Sequence, residues 1–494
     1  MPVNWKKDKK INTKEGRAVF SGMSSGGITL IVVSTIVVML IGTIITAYFT
    51  KKTKTSQDWA TGGGKTPTIV LVFTMFATQV GGGVLVGHVG IGYSYGLAPL
   101  AYATCGIAGL LLMMIAAGWF RKNHFTTIPD IFLKLYGENK ALMILATLMA
   151  VIVPFGWIAS QIVSFGKMYA AITGLDTTVL IVVFAIICML FTIPAGFNSV
   201  AWSDFIFGLM MLLLCCITGY QAIHLGGGWE HIVQSFPEQE HVSFPGGIMG
   251  AGLSTTLLWF VAATPGMMTN QMSIQRVCAA DSTKSARKVL WLSSIIIVAL
   301  EIWVVVIALT CRALQPELPS GEDAIGILLP RLPIWTTAMF AGFITTTILT
   351  TTDSAMQSVA VNLTNDIYAR YVNPGADDKK LMKMSRLFTL FITVAAILLA
   401  VNFQQVLNLI TSTYSYAASG LLIPIYGGYL LSKKRRLTPA CGLVSMISGV
   451  VGCFVVSRWF DTFLPAAFYG ILISTVAMLV MVFLVKGKAN VVKE

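Results

Sequence analysis

Residues 76–90 read FATQVGGGVLVGHVG, with three consecutive glycines in a stretch otherwise apolar enough to lie in lipid. Glycine is poor helix interior. Irregular backbone at membrane depth is tolerated only where it is buried in protein or lines a cavity. The run therefore has two readings: small residues that let helices pack closely, or an unwound point whose free carbonyls face a cavity. Five apolar segments later WFVAATPGMMTNQ, residues 259–271, interrupts a second stretch with Pro265 and Gly266. Two interrupted helices, each the first of a set of five, mark an inverted-repeat transporter with its site near the bilayer midplane.

Composition puts the chain in a membrane. Of 494 residues 55% are hydrophobic and 11% charged, a balance that excludes an ordinary soluble domain. About 20 mainly apolar residues span the hydrocarbon. Such stretches recur at roughly 27–49, 67–91, 96–120, 141–173, 176–195, 198–225, 247–275, 288–311, 333–360, 387–402, 405–432, 438–457 and 467–485. The expected class is an all-α integral membrane protein with about thirteen transmembrane helices. Its expected organisation is a polar basic segment at 1–26, a first helix at 27–49 and five-helix repeats at 67–225 and 247–432. Residues 433–494 add two further helices and a short tail. The leader is too polar for a cleavable signal, and the run after it reads as a retained span. All eight cysteines except Cys278 lie inside apolar stretches without metal-ligand spacing, as small buried hydrophobes do.

Lysine and arginine gather on the cytoplasmic side of membrane proteins. Taken alternately, one set of loops holds twenty-four of them and the other three, Arg312, Arg331 and Arg458. This expectation puts the carboxyl terminus in the cytoplasm of a multi-pass plasma (inner) membrane protein and, with an odd span count, the amino terminus outside. The leader KKDKKINTKEGR, with six basic residues, opposes that placement. The net charge of +13 points to anionic lipid headgroups of the bilayer and not to nucleic acid.

A second stretch, ILTTTDSAMQSVAVNLTNDIY at 348–368, places threonines and a carboxylate where lipid is expected. Thr347, Thr350 and Thr351 share one helical face by their i, i+3, i+4 spacing. Such hydroxyls either bond back to their own helix or join carbonyls of a broken helix in replacing the water of a small hard cation; the broken partner helix favours the second.

These segments resemble the sodium:solute symporter family. The resemblance is carried by TGGG (61–64), ATQVGGG (77–83), VAWSDF (200–205), NQMSIQRVCAADSTKSARK (270–288) and TTTDSAMQSVAVNLTNDIY (350–368), and covers about residues 55–435. It implies a LeuT-like five-plus-five inverted repeat with one helix before it and two after. It further implies a Na+ site made by the carbonyls of Ala77, Val80 and Thr347 and the hydroxyls of Thr350 and Thr351. Members commonly have serine at the hydroxyl positions, and threonine keeps the oxygen.

Charges within membrane spans suggest function. Asp204, in the aromatic-hydroxyl-acid pattern, and Asp353, three residues past Thr350, are candidates for a second cation or proton site. Asp204 reads alternatively as a helix-start residue near the cytoplasmic surface, and Asp353 as a protonated, internally bonded acid. Lys167 and Glu301 could meet a charged group of the solute or neutralise each other, and Lys167 could instead snorkel outward. His88 reads as a satisfied structural group.

Solute contacts are expected from Thr78, Gln79, Gly82, Trp157, Trp259, Phe260, Asn270, Tyr414 and Tyr416, beside the broken helices. An aromatic cage would suit a quaternary ammonium, and the triple glycine is similar to choline-carrying members. The amides of Gln79 and Asn270 instead favour a small organic acid or amino acid, its carboxylate held by helix amino ends and Lys167; vitamin uptake is a further alternative. The expected activity is sodium-coupled symport into the cell by alternating access. A channel or a transporter-like sensor is the alternative of another class. No nucleophile-base pair or metal cluster suggests an enzyme.

Overall fold

The computed structural model describes residues 25–50, 55–64, 66–193, 196–403 and 405–484. The chain order is α1 (Ser25–Thr50), α2 (Thr68–Gln79), α3 (Gly83–Tyr95), α4 (Ala98–Lys122), α5 (Ile128–Tyr136), α6 (Lys140–Thr173), α7 (Thr177–Thr192) and α8 (Phe197–Leu225). There follow α9 (Leu253–Met268), α10 (Gln271–Cys278), α11 (Thr283–Leu314), α12 (Ile334–Val372), α13 (Asp378–Asn402), α14 (Val406–Ser432), α15 (Pro439–Trp459) and α16 (Ala466–Leu484).

Among the described residues ten helices are long and apolar enough to cross a membrane, and the bent pair α2–α3 makes an eleventh. Two of the thirteen segments read from the sequence are shorter as helices: α7 and α9 each have 16 residues. The basic leader lies outside the described residues. Helix starts follow local chemistry. Asn139 accepts from the Leu142 amide at 3.0 Å, Asp176 caps α7 and Ser282 caps α11, each satisfying amide donors that a first turn leaves free.

Packing shows the two halves. The second helix of the first set, α4, packs on the second of the other, α11, and the third helices, α6 and α12, pack on each other. Within each set the broken first helix lies against the fifth, α2 on α8 and α9 on α14. Equal-numbered helices meeting across the molecule is the arrangement a pseudo-two-fold axis produces. Helix α1 packs on α8 and α12 and turns Val33, Ile36, Leu40 and Ile44 outward, as a span facing lipid does.

The two breaks differ from their sequence reading in one respect. The first falls at the triple glycine: α2 stops at Gln79, Val80 is extended (φ −106°, ψ 101°), and α3 leaves at 51° to α2. The second falls later than Pro265–Gly266. Helix α9 runs through both to Met268, and Asn270 starts α10 by accepting from the Met272 amide at 3.0 Å. Proline costs a helix one hydrogen bond, which a bundle interior absorbs; the Asn cap is what begins a new helix.

Candidate functional site

Stopping α2 at Gln79 frees carbonyls that a continuous helix would use. The Val80 amide still reaches Phe76 O at 3.1 Å, whereas Ala77 O and Val80 O turn toward α12. There Thr351 Oγ1 lies 2.9 Å from Ala77 O, 3.1 Å from Val80 O and 2.9 Å from Thr347 O. Thr350 Oγ1 lies 3.2 Å from Thr347 O. All three threonines are buried. Four of the five oxygens named by the resemblance thus meet at the Thr351 hydroxyl between α2 and α12, while the Thr350 hydroxyl bonds back to Thr347 O of its own helix.

The donor set fits a monovalent cation. All five oxygens are neutral, whereas protein sites for divalent hard cations use carboxylates. An ion bound at about 2.4 Å sets adjacent oxygens roughly 3.4 Å apart, only a few tenths of an ångström wider than the separations here. Turning the Thr351 hydroxyl proton aside and a slight spreading of the two helices accommodate it.

Beside this cage lies a buried ionic network. Asp204 Oδ2 accepts from Thr74 Oγ1 at 2.5 Å and from Ser354 Oγ at 3.4 Å, and lies 3.5 Å from Arg276 Nη2. It is fully buried, about two turns from the start of α8. Asp353 is also fully buried, with the Thr192 hydroxyl of α7 beside its carboxylate.

Arg276, counted in the sequence as a loop charge, is instead buried. Its Nε donates to Thr74 O (3.2 Å) and Oγ1 (3.1 Å), Nη1 to Met272 O (3.1 Å) and Nη2 to Ser354 Oγ (2.8 Å). It ties α2, α10 and α12 together. The available signal was its place on a polar helix just past a break, where α10 buries all eight of its residues.

Next to the break is a cavity of about 60 Å³, lined in part by Gln79, Trp157 and Tyr414 of the predicted solute contacts. Gly81 and Gly83 line it, while Gly82 is pressed against α6, where a Cβ would meet Ser164 Cβ at 2.2 Å. The chain is unwound at Val80 and Gly81, whereas Gly82 is already helical (φ −59°, ψ −29°) and Gly83 opens α3; the break covers the start of the run and close packing its middle. Thr78 donates to Thr74 O at 2.7 Å within its own helix. Trp259 is buried one ring behind the wall, 5.4 Å from the Tyr102 ring. Asn270 is spent on its cap, with Nδ2 unpartnered. Phe260 is 53% exposed and points away from the bundle, and half-buried Tyr416 does not line the cavity; both sit on the wrong face of their helices, which residue type alone does not reveal.

Lys167 and Glu301 do not meet. Lys167 pairs with Glu322 of the loop before α12, and Glu322 Oε1 also lies 3.5 Å from the Leu407 amide, so the loop joins α6 to α14. Glu301 pairs with His88 at 2.8 Å, and both line the cavity.

The sequence reading also missed Gln161, whose Oε1 accepts from the Gly82 amide just past the break at 2.5 Å. Gln161→Leu would leave that buried donor alone at a cost of about 1–3 kcal/mol. A lowered melting temperature of the purified variant relative to the parent is expected.

Comparison with known proteins follows this geometry. The chain is 22% identical to the sodium/proline symporter of Salmonella typhimurium, covering 92% of this chain and 93% of that one. It is 23% identical to a sodium/glucose cotransporter of Vibrio parahaemolyticus, over 79% of this chain and 77% of the relative. Its fold matches the substrate-bound, outward-open structure of a Na+-coupled sialic acid symporter with a TM-score of 0.80 at 17% identity, covering 93% of this chain and 99% of that one. The sequence profile of the sodium:solute symporter family matches residues 59–449, and the chain belongs to that family.

Proposed function

We propose that the protein couples the inward movement of Na+ to the uptake of a small organic solute by alternating access across the plasma (inner) membrane, with its carboxyl terminus in the cytoplasm. The observation that carries this is the meeting of Ala77 O, Val80 O and Thr347 O at the Thr351 hydroxyl, with the Thr350 hydroxyl against Thr347 O beside them. Sodium bound there bridges α2 to α12, holds the break in one geometry and so orders the cavity next to it. Coupling of this kind is reciprocal: sodium raises solute affinity by the factor by which solute raises sodium affinity.

Asp204 and Asp353 are proposed to serve a second cation or a proton. Asp353 supports this because a fully buried carboxylate with a neutral hydroxyl, that of Thr192, beside it is costly unless a cation or proton joins it.

The test is a thermal-shift screen of purified protein against amino acids, carboxylates, vitamins, quaternary amines and sugars, with sodium and with potassium in its place. A solute that stabilises only in sodium is expected, since any ligand selective for the folded state does so. Its sodium-driven accumulation in proteoliposomes should follow. Binding without accumulation would indicate a sensor, and sodium flux without solute a channel; either contradicts the proposal.

A further inference from the structure

The wall of the central cavity has a polar feature that sodium coupling does not use. Glu301 of α11 is 1% exposed. Its Oε1 lies 2.8 Å from His88 Nδ1, while Oε2 is buried without a partner. The His88 ring is itself held against Tyr102, centroids 4.5 Å apart. One carboxylate oxygen of the wall is thus fixed in place and the other is left unsatisfied, in a site made largely of apolar and aromatic side chains.

The surroundings decide what can complete it. No lysine or arginine is among the residues lining the cavity. Lys167 is committed to Glu322, and Arg276 to Thr74, Ser354 and Asp204. A buried carboxylate is expensive unless it is paired and hydrogen-bonded, so the missing partner must be a donor, best a charged one. An anionic solute without such a group would meet like charge in a poorly screened space. The lining also holds Gln79 Oε1, a further acceptor without a partner, and the donors Trp157 Nε1 and the Tyr102 and Tyr414 hydroxyls, which can donate to an opposite, electron-rich end. Aromatic faces also favour a cation nearby.

We propose that the transported solute carries a protonated primary or secondary amine, whose N–H donates to Glu301 Oε2, and that His88 positions Glu301 for it. This rests on the solute-uptake reading above and names the chemical class it takes.

The experiment uses the full-length protein in sodium and a panel of matched pairs at about 10 mM: the standard amino acids with their 2-hydroxy acid counterparts, and L-proline with tetrahydrofuran-2-carboxylate. Choline, with charge but no N–H, and glucose complete the panel. An amine-bearing member should stabilise the protein while its amine-free partner does not. Glu301→Gln should then weaken that amine roughly 10- to 100-fold, as loss of one hydrogen bond to a charged group does, while the stabilisation by sodium alone persists.

Stabilisation by hydroxy acids or glucose but by no amine would overturn the inference. So would retention of full affinity in Glu301→Gln, or the absence of any response to the amines. If Glu301→Gln does not fold, the matched pairs on the parent protein still decide. Absence of any sodium effect would instead defeat the symport reading itself, so the two failures are distinguishable.

Discussion

Thr351→Ala is expected to weaken sodium binding by roughly 10- to 100-fold, the effect of removing one oxygen from a desolvated cation, and to weaken solute affinity with it. Thr351 is the side chain whose hydroxyl touches both freed carbonyls of α2 and a carbonyl of α12. Without it the freed carbonyls of α2 lose the α12 hydroxyl that faces them, and the proposed ion loses the ligand at the centre of the set. Thr351→Ser keeps that oxygen and should retain most of the sodium response. Titrating sodium against melting temperature, and against uptake once a solute is known, reads both variants. A merely structural role would lower stability without moving the sodium midpoint; equal midpoints in Thr351→Ala and the parent contradict the assignment.

The second large effect is expected at Arg276. It is fully buried and bonds Thr74, Met272 and Ser354 while facing Asp204. Replacing it with methionine keeps much of the volume but leaves Asp204 in an uncompensated site, at a cost of about 3–5 kcal/mol. Neutralising both members removes that penalty. Arg276→Met should therefore fold poorly and melt well below the parent, and Arg276→Met with Asp204→Asn should recover the larger part of the loss. Non-additivity of this sign is what a double-mutant cycle measures for groups in direct contact. Equal destabilisation of the single and double variants would show that Arg276 acts through its backbone contacts instead.

Helices were legible in the sequence wherever twenty apolar residues ran together, because lipid leaves the backbone few alternatives. The triple glycine was legible for the same reason: Gly81–Gly83 break a rule that only a cavity or close packing excuses. The second break was placed at the wrong residues. Pro265 is the conspicuous breaker, but the turn is set by the Asn270 cap.

Oxygens on one helical face could be inferred from spacing, so Thr347, Thr350 and Thr351 were visible. Which way a lone aromatic points could not: Trp157 lines the cavity while Phe260 faces outward. Ion pairs between distant segments were equally hidden, since Lys167 finds Glu322 and Glu301 finds His88 only after the helices have packed. His88 was read as a satisfied group, and pairing with Glu301 does satisfy one of its nitrogens while leaving the pair on the cavity wall.

The proposed cation site is tested most directly by equilibrium binding of radioactive 22Na+ to the purified protein, compared with a variant carrying Thr350→Ala and Thr351→Ala together. Saturable binding that is lost or strongly weakened in the double variant, with the helical content unchanged, is the expected result. Undiminished binding in a folded double variant would contradict the account.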